Sequence, residues 1–281
     1  MKQFLVFFII LQVTFSTQGQ TIKGLVVDSL SKQPICYVSI GIINTPMGTY
    51  ANEQGQFELT LESSNETDSI RFSCIGFNSI SYNLSEFLEK FESGDTIYLM
   101  EKITVLNEVV VRGKRIKTKV LGNKNASRQV LIGFLGDKES GIIIENESSI
   151  LLKNVSFKLA MTKYDQPDSA VFRFNIYSLK NGLPHRNLLI KPIYFRVYKG
   201  QFDSTVRFNI RNENIKLKDS FAATFELVKQ YSGKRIYFAG KILGCKGVNR
   251  WGPQGEWKEQ KADGGPLKLH QSLAIEVLEM K

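Results

Sequence analysis

Three cysteines and two histidines in 281 residues leave little material for a disulfide scaffold or a metal centre. An odd cysteine count leaves at least one thiol unpaired in each chain, so the core has to be hydrophobic. Neither His185 nor His270 has a companion at metal-ligand spacing, and both read as surface residues. The chain also lacks a nucleophile-elbow serine, a P-loop, a dinucleotide fingerprint and a zinc-protease helix. No metal, cofactor or catalytic residue is therefore expected, and the chain does not read as an enzyme. Beyond residue 15 no apolar run approaches the ~18 residues of a membrane-spanning helix. Helical periodicity is nearly absent as well.

What is present begins with Lys2 and an apolar run from Phe4 to Phe15, followed by the polar, small segment 16–20. Too short to span a bilayer, this pattern reads as a signal peptide over residues 1–19, with the mature chain starting near Gln20. No cysteine stands at the cleavage region to take a lipid. Export to the periplasm or outer membrane is expected, with at most peripheral attachment to a membrane. About 260 residues then remain, enough for two domains of about 100–150 residues. Charge divides them: residues 21–101 carry four Lys or Arg against eleven Asp or Glu, and residues 102–281 carry thirty-two against sixteen. The second half is strongly basic, and in an exported protein that points to an anionic glycan, lipopolysaccharide or an acidic protein as partner, not to nucleic acid.

From Thr21 onward short runs of period-two alternation are separated by turn residues, the pattern of an all-β sandwich. Strands are expected over 22–28, 37–44, 48–53, 56–62, 69–77, 79–84 and 96–100. Phe57, Leu59 and Leu61 share one face of the fourth. A short helix is expected over 85–91 with Ser85 as its N-cap. Strand parity places Cys36 and Cys74 in the core, either bridged or as two buried thiols.

The ordered set Gly24-Leu-Val-Val-Asp28, Pro34, Val38, Asn44, Gly48, Asn52, Gly55, Phe57 and Phe72-Ser-Cys-Ile-Gly76-Phe77 resembles the carboxypeptidase regulatory-like family of Bacteroidota. The resemblance covers residues 21–101 and implies a transthyretin-like, seven-stranded β-sandwich. It implies no peptidase, because in that enzyme family the domain is accessory to a separate zinc-binding catalytic domain. Ala51-Asn52 stands where the family usually has Thr-Asp, a change that keeps an Asx-turn former in place. On residue grounds Gly24, Gly48, Gly55 and Gly76 have architectural roles, supplying positive φ between strands.

The run Thr104-Val-Leu-Asn-Glu-Val-Val-Val-Arg-Gly113 is similar to the connector before the plug of TonB-dependent outer-membrane receptors. A barrel of roughly 22 strands of about ten residues would consume most of this chain, so the protein is not expected to be such a receptor. Arg112, Lys114, Arg115, Lys117, Lys119, Lys124 and Arg128 follow with no acid among them. Residues 102–128 thus read as a connector strand and solvated basic linker, with Arg112, Lys114, Arg115, Lys117 and Lys119 as candidates for contact with an anionic surface.

Eight further strands are expected in residues 129–281, over 130–135, 149–161, 170–178, 192–197, 205–210, 222–227, 235–243 and 272–278, as a larger, jelly-roll-like antiparallel β-sandwich. The segment from Phe174 to Pro184, with Asn187-Leu-Leu and residues 221–227, resembles the C-terminal sandwich of uncharacterised Bacteroidota envelope proteins, which implies no activity. Phe172, Phe174 and Ile176 alternate with Arg173, Asn175 and Tyr177, which predicts one wet face. Arg173 and Tyr177 on that face, and Arg250, Trp251 and Trp257 in the glycine-rich segment 244–266, are the candidate glycan contacts. The indoles either stack on sugar or cover the end of the sandwich. The carboxylates Glu145 and Glu147 share strand parity, but every β protein offers such pairs. The expected function is a non-catalytic envelope protein binding a glycan or protein partner through its second sandwich. An accessory subunit of an outer-membrane uptake complex is the alternative, and an unrecognised glycosidase a further one.

Overall fold

A computed structural model describes residues 20–61, 67–103, 116–124, 127–134, 138–161, 164, 166–232, 235–261 and 270–280. Residues 1–19, read as a signal peptide, the run 104–113, read as a connector, and the side chains of Arg112, Lys114, Arg115, Arg128 and His270 lie outside the described residues. No described helix is long and apolar enough to cross a membrane.

The first unit has the seven expected strands: β1 (Gln20–Asp28), β2 (Ser39–Ile42), β3 (Gly48–Tyr50), β4 (Gln56–Leu61), β5 (Ser69–Ser73), β6 (Ile80–Asn83) and β7 (Thr96–Leu99). They form two sheets, ordered β4-β1-β7 and β3-β2-β5-β6. In β4 the alternation is complete, with Phe57, Leu59 and Leu61 buried and Gln56, Glu58 and Thr60 exposed. These side chains meet Val26, Ile40, Ile70 and Phe72 in one core between the sheets. Asn52 closes the turn before β4 by accepting the Gln54 and Gln56 amides, each at 2.9 Å.

The helix, α1 (Leu84–Lys90), starts one residue earlier than expected, and its N-cap is Asn83, not Ser85. The extended end of β6 leaves the Asn83 amide oxygen over the first turn, where it accepts the Ser85 amide at 3.0 Å and the Glu86 amide at 3.3 Å. Leu84 and Phe87 then enter the core. Asn83→Ala is expected to cost about 1 kcal/mol, seen as a lowered denaturant midpoint; an unchanged midpoint would mean that packing of Phe87 alone holds the helix.

Cys36 departs from the parity argument. Because β2 begins only at Ser39 and Tyr37 takes a left-handed φ of 55°, the chain turns at Cys36 and the pleat does not extend back to it. Cys74 is buried in the core, Cys36 is half-buried beside it in sequence-distant tyrosines, and both are free. Burial pushes the Cys74 thiol up to about 11, which keeps it protonated and unreactive at neutral pH.

The second unit contains every one of the eight expected strands and seven more. In order they are β8 (Ile116–Gly122), β9 (Ser127–Phe134), β10 (Lys138–Ile144), β11 (Ser149–Lys158), β12 (Ser169–Lys180), β13 (Leu183–Asn187), β14 (Ile193–Tyr198), β15 (Thr205–Asn209), β16 (Lys216–Leu217), β17 (Phe221–Tyr231), β18 (Ile236–Lys241), β19 (Gly247–Trp251), β20 (Lys258–Glu259), β21 (His270–Gln271) and β22 (Leu273–Met280). Sheets ordered β13-β12-β17-β10-β19-β20, with β14 also on β12, and β15-β11-β22-β8, with β16 on β11, face each other; β21-β18-β9 adds a third, small sheet. The basic stretch expected as a linker is in its described part a strand: β8 pairs with β22 from Ile116 to Gly122, because a free sheet edge satisfies its backbone groups better than isolation does. Phenylalanine fills the core between the sheets. Phe225 alone has ring centroids of Phe157, Phe172, Phe174, Phe195 and Phe238 within 4.4–6.4 Å.

Candidate functional site

The face of β12 that alternation marks as polar is not wet. Arg173 is 3% exposed because the first unit lies against it, and Tyr177 is 7% exposed because Trp257, Leu179 and Leu183 of the second unit cover it. Strand register lines up Arg173 opposite Glu226, Glu226 opposite Glu139, and Glu139 opposite Arg250, a row across β12, β17, β10 and β19 in which two carboxylates lie between two guanidiniums. Both carboxylates are fully buried. Arg173 Nε donates to Glu226 Oε2 at 2.8 Å, while its terminal nitrogens reach the first unit, donating to the Tyr37 carbonyl at 2.8 Å and Ser39 Oγ at 2.6 Å. From that unit Tyr50 donates its hydroxyl to Glu226 Oε1 at 2.9 Å. Arg250 donates from Nε to Glu139 Oε2 at 2.8 Å, and Asn175, Tyr177 and Thr224 supply the remaining donors to Glu139.

Burial raises both carboxyl pKa values, and the neighbours decide the outcome. At Glu226 the Arg173 and Arg250 guanidiniums and the Tyr50 hydroxyl outweigh burial and hold the group below the usual carboxylate range. Glu139, helped by Arg250 but repelled by Glu226, stays above it. Burial and the Glu226 charge push the Tyr50 hydroxyl well up, so it remains a donor.

Around this row the seam is continuous. Glu53 accepts hydroxyls of Tyr37 and Tyr231, each at 2.9 Å, and pairs with Arg196 at 3.3 Å. Gln254, in the turn after β19, accepts the Asn44 amide on its carbonyl at 2.9 Å and donates its side chain to Ser73 Oγ at 2.8 Å. Gly48 lies under Pro253 so closely that a Cβ would sit 2.4 Å from the proline ring. Its role is therefore close approach, in contrast to Gly55 and Gly76, whose φ values of 74° and 89° bear out the expected turns.

Between the two units the seam opens into a cleft of about 570 Å³. Arg173, Asn175, Tyr177 and Arg250 form one side, Arg71 and the turn from Cys74 to Phe77 another, and His185, Arg186 and Asn187 on β13 a third. Of the expected glycan contacts, three come together here: Arg173, Tyr177 and Arg250. Trp257 backs them, half-buried, with its ring 5.0 Å from the Arg250 guanidinium and 5.4 Å from Tyr177. Trp251 does not join them; 45% exposed, it packs under the Lys138 ammonium at 5.1 Å and borders a separate recess with Thr45 and Pro46. Lys117 and Lys119 stand exposed on β8, with Lys119 3.7 Å from Glu279.

Glu145 and Glu147 are both exposed, and no cluster of potential metal ligands occurs among the described residues. Glu139 and Glu226 face each other across β10 and β17, both fully buried and each paired with a guanidinium, with Glu226 at the cleft wall. Sequence reasoning missed both, along with Tyr50, Arg71 and Gln254. One signal was available: Glu226 interrupts Phe221-Ala-Ala-Thr-Phe-Glu-Leu, a charge in the middle of an apolar strand.

No curated protein matches the sequence. Among solved structures, a DUF3823 family protein from Bacteroides uniformis ATCC 8492 is similar at 8% identity, over 92% of this chain and 98% of its own, with a TM-score of 0.18. A chain of the T13 IBDV viral particle is similar at 8% identity, over 93% of this chain and 62% of its own, with a TM-score of 0.22. Scores this low establish no common fold. The sandwich of seven strands, its closing turns and its ordered glycines agree with the family comparison: residues 22–111 match the CarboxypepD_reg-like domain, so the chain carries a carboxypeptidase regulatory-like domain in its N-terminal part.

Proposed function

We propose that this is a non-catalytic, exported protein of the bacterial cell envelope that binds a glycan in the cleft between its two sandwiches. The observation that carries the reading is the lining of that cleft. Amides of Asn175, Asn187 and Gln254, hydroxyls of Ser39, Ser73 and Ser79, the half-buried ring of Phe77 and the buried ring of Tyr177 surround about 570 Å³, a volume that suits a small saccharide. Such groups match sugar hydroxyls and ring faces, and the fixed seam preorganises them. The regulatory-like domain then acts as one wall of a composite site as well as an adaptor. Export rests on the Lys2-to-Phe15 pattern, and periplasmic or outer-membrane residence on the family resemblance.

Titration calorimetry of the full chain against a panel of neutral and acidic oligosaccharides tests this. Binding is expected, and Ser79→Trp, an exposed lining position filled by a large ring, is expected to abolish it at little cost to stability. If no saccharide binds while a crosslinked pull-down recovers an outer-membrane barrel, the accessory-subunit reading replaces it.

A further inference from the structure

We infer that the saccharide taken by the cleft bears an oxyanion, a uronate carboxylate or a sulfate ester, held by Arg71, Lys102 and Arg186; this rests on the glycan reading above. The charges on the cleft wall divide into two sets. Arg173 and Arg250 are neutralised by Glu226 and Glu139 behind them, at 2.5 Å and 2.7 Å. Arg71, Lys102 and Arg186 also line the cleft, and among the described residues none of the three has a carboxylate within ion-pairing distance. Glu226, the single acidic residue of the lining, is already saturated by Arg173 and Tyr50. The cleft therefore holds a surplus of three positive charges facing a space that a ligand can fill.

Arg71 supplies a second, independent observation. It projects from the middle of β5, opposite Gly41 on β2 and Ser81 on β6, and its Nε is buried with no acceptor. With no internal acceptor on Nε and no carboxylate partner among the described residues, the half-buried Arg71 keeps its full charge at the cleft wall, where a charge-assisted hydrogen bond to an oxyanion is strong. Arg71 belongs to the first unit and Arg186 to the second, so one anion between them is held by both sandwiches. A guanidinium fork on each side favours a planar or tetrahedral oxyanion over a simple halide.

The test uses the full chain and three disaccharide probes: a uronate-bearing disaccharide, its methyl ester, and a sulfated counterpart. The uronate or the sulfated sugar is expected to bind at least tenfold more tightly than the ester, and the stronger of the two identifies the anion. That preference is expected to shrink between 0.01 M and 0.15 M salt, as the Debye length falls from about 30 Å to about 8 Å. Arg71→Gln is expected to remove about tenfold or more of the acidic probe's affinity and a smaller factor of the ester's, so that the preference for the acid shrinks. Arg71→Lys, which keeps charge but not the fork, is expected to fall between. Equal affinity for acid and ester overturns the inference and leaves the glycan reading standing. Failure of all three probes, together with failure of the wider panel, overturns both.

Discussion

Arg173→Met is expected to destabilise the protein by about 3–5 kcal/mol, the cost of leaving a buried carboxylate without its partner. Glu226 is fully buried, and Arg250, at 3.8 Å from its other oxygen, is already committed to Glu139 at 2.7 Å. The loss does not stop at one ion pair, since the same guanidinium donates to the Tyr37 carbonyl and Ser39 Oγ of the first unit. Chemical denaturation should show the drop, and limited proteolysis should release the first sandwich more readily. Replacing both partners, Arg173→Met with Glu226→Leu, is expected to recover most of the lost stability, because an apolar pair of similar size does not have to offset the desolvation of two charges. A single-variant loss below about 1 kcal/mol would show that the row of charges does not hold the seam.

Phe225→Ala is expected to cost about 3–5 kcal/mol through lost burial and the cavity it leaves. Five phenylalanine rings surround Phe225, and they come from β11, β12, β14 and β18, so none can collapse into the space without moving a strand. Both tryptophans of the chain, Trp251 and Trp257, belong to the second unit; Trp257 packs within it beside Tyr177 and Arg250, while Trp251 also borders Thr45 and Pro46 of the first. The tryptophan transition should therefore shift by the full amount while the first sandwich keeps its own core of Phe57, Phe72 and Phe87. An unchanged tryptophan midpoint would falsify the placement of Phe225 at the centre of the core.

Much of the fold was legible because its signals are local. The alternation of Phe57, Leu59 and Leu61 in β4, and of Phe172, Phe174 and Ile176 in β12, identifies an inward face without knowledge of what it meets. Elements that carry weak local patterns were lost. β10 opens with Lys138-Glu-Ser-Gly, which reads as a turn, and is buried along its whole length because β17 and β19 flank it. β8 is composed largely of exposed residues, and only pairing with β22 makes it a strand.

By itself the sequence determined that the chain is nearly all β, that it contains a regulatory-like sandwich of seven strands, and that β12 has one apolar and one polar face. Period-two alternation and turn chemistry suffice for that, since both act over a few residues. Only the tertiary structure decided what the polar face is for. Arg173 and Glu226 are 53 residues apart, and Arg173 and Tyr37 are 136 apart. Whether such side chains meet water or a second domain is set by the docking of two whole sandwiches, and no local pattern encodes it. The same docking turned Arg173, Tyr177 and Arg250 from surface contacts into the wall of a cleft, while Arg71, Lys102 and Arg186 beside them have no carboxylate partner among the described residues.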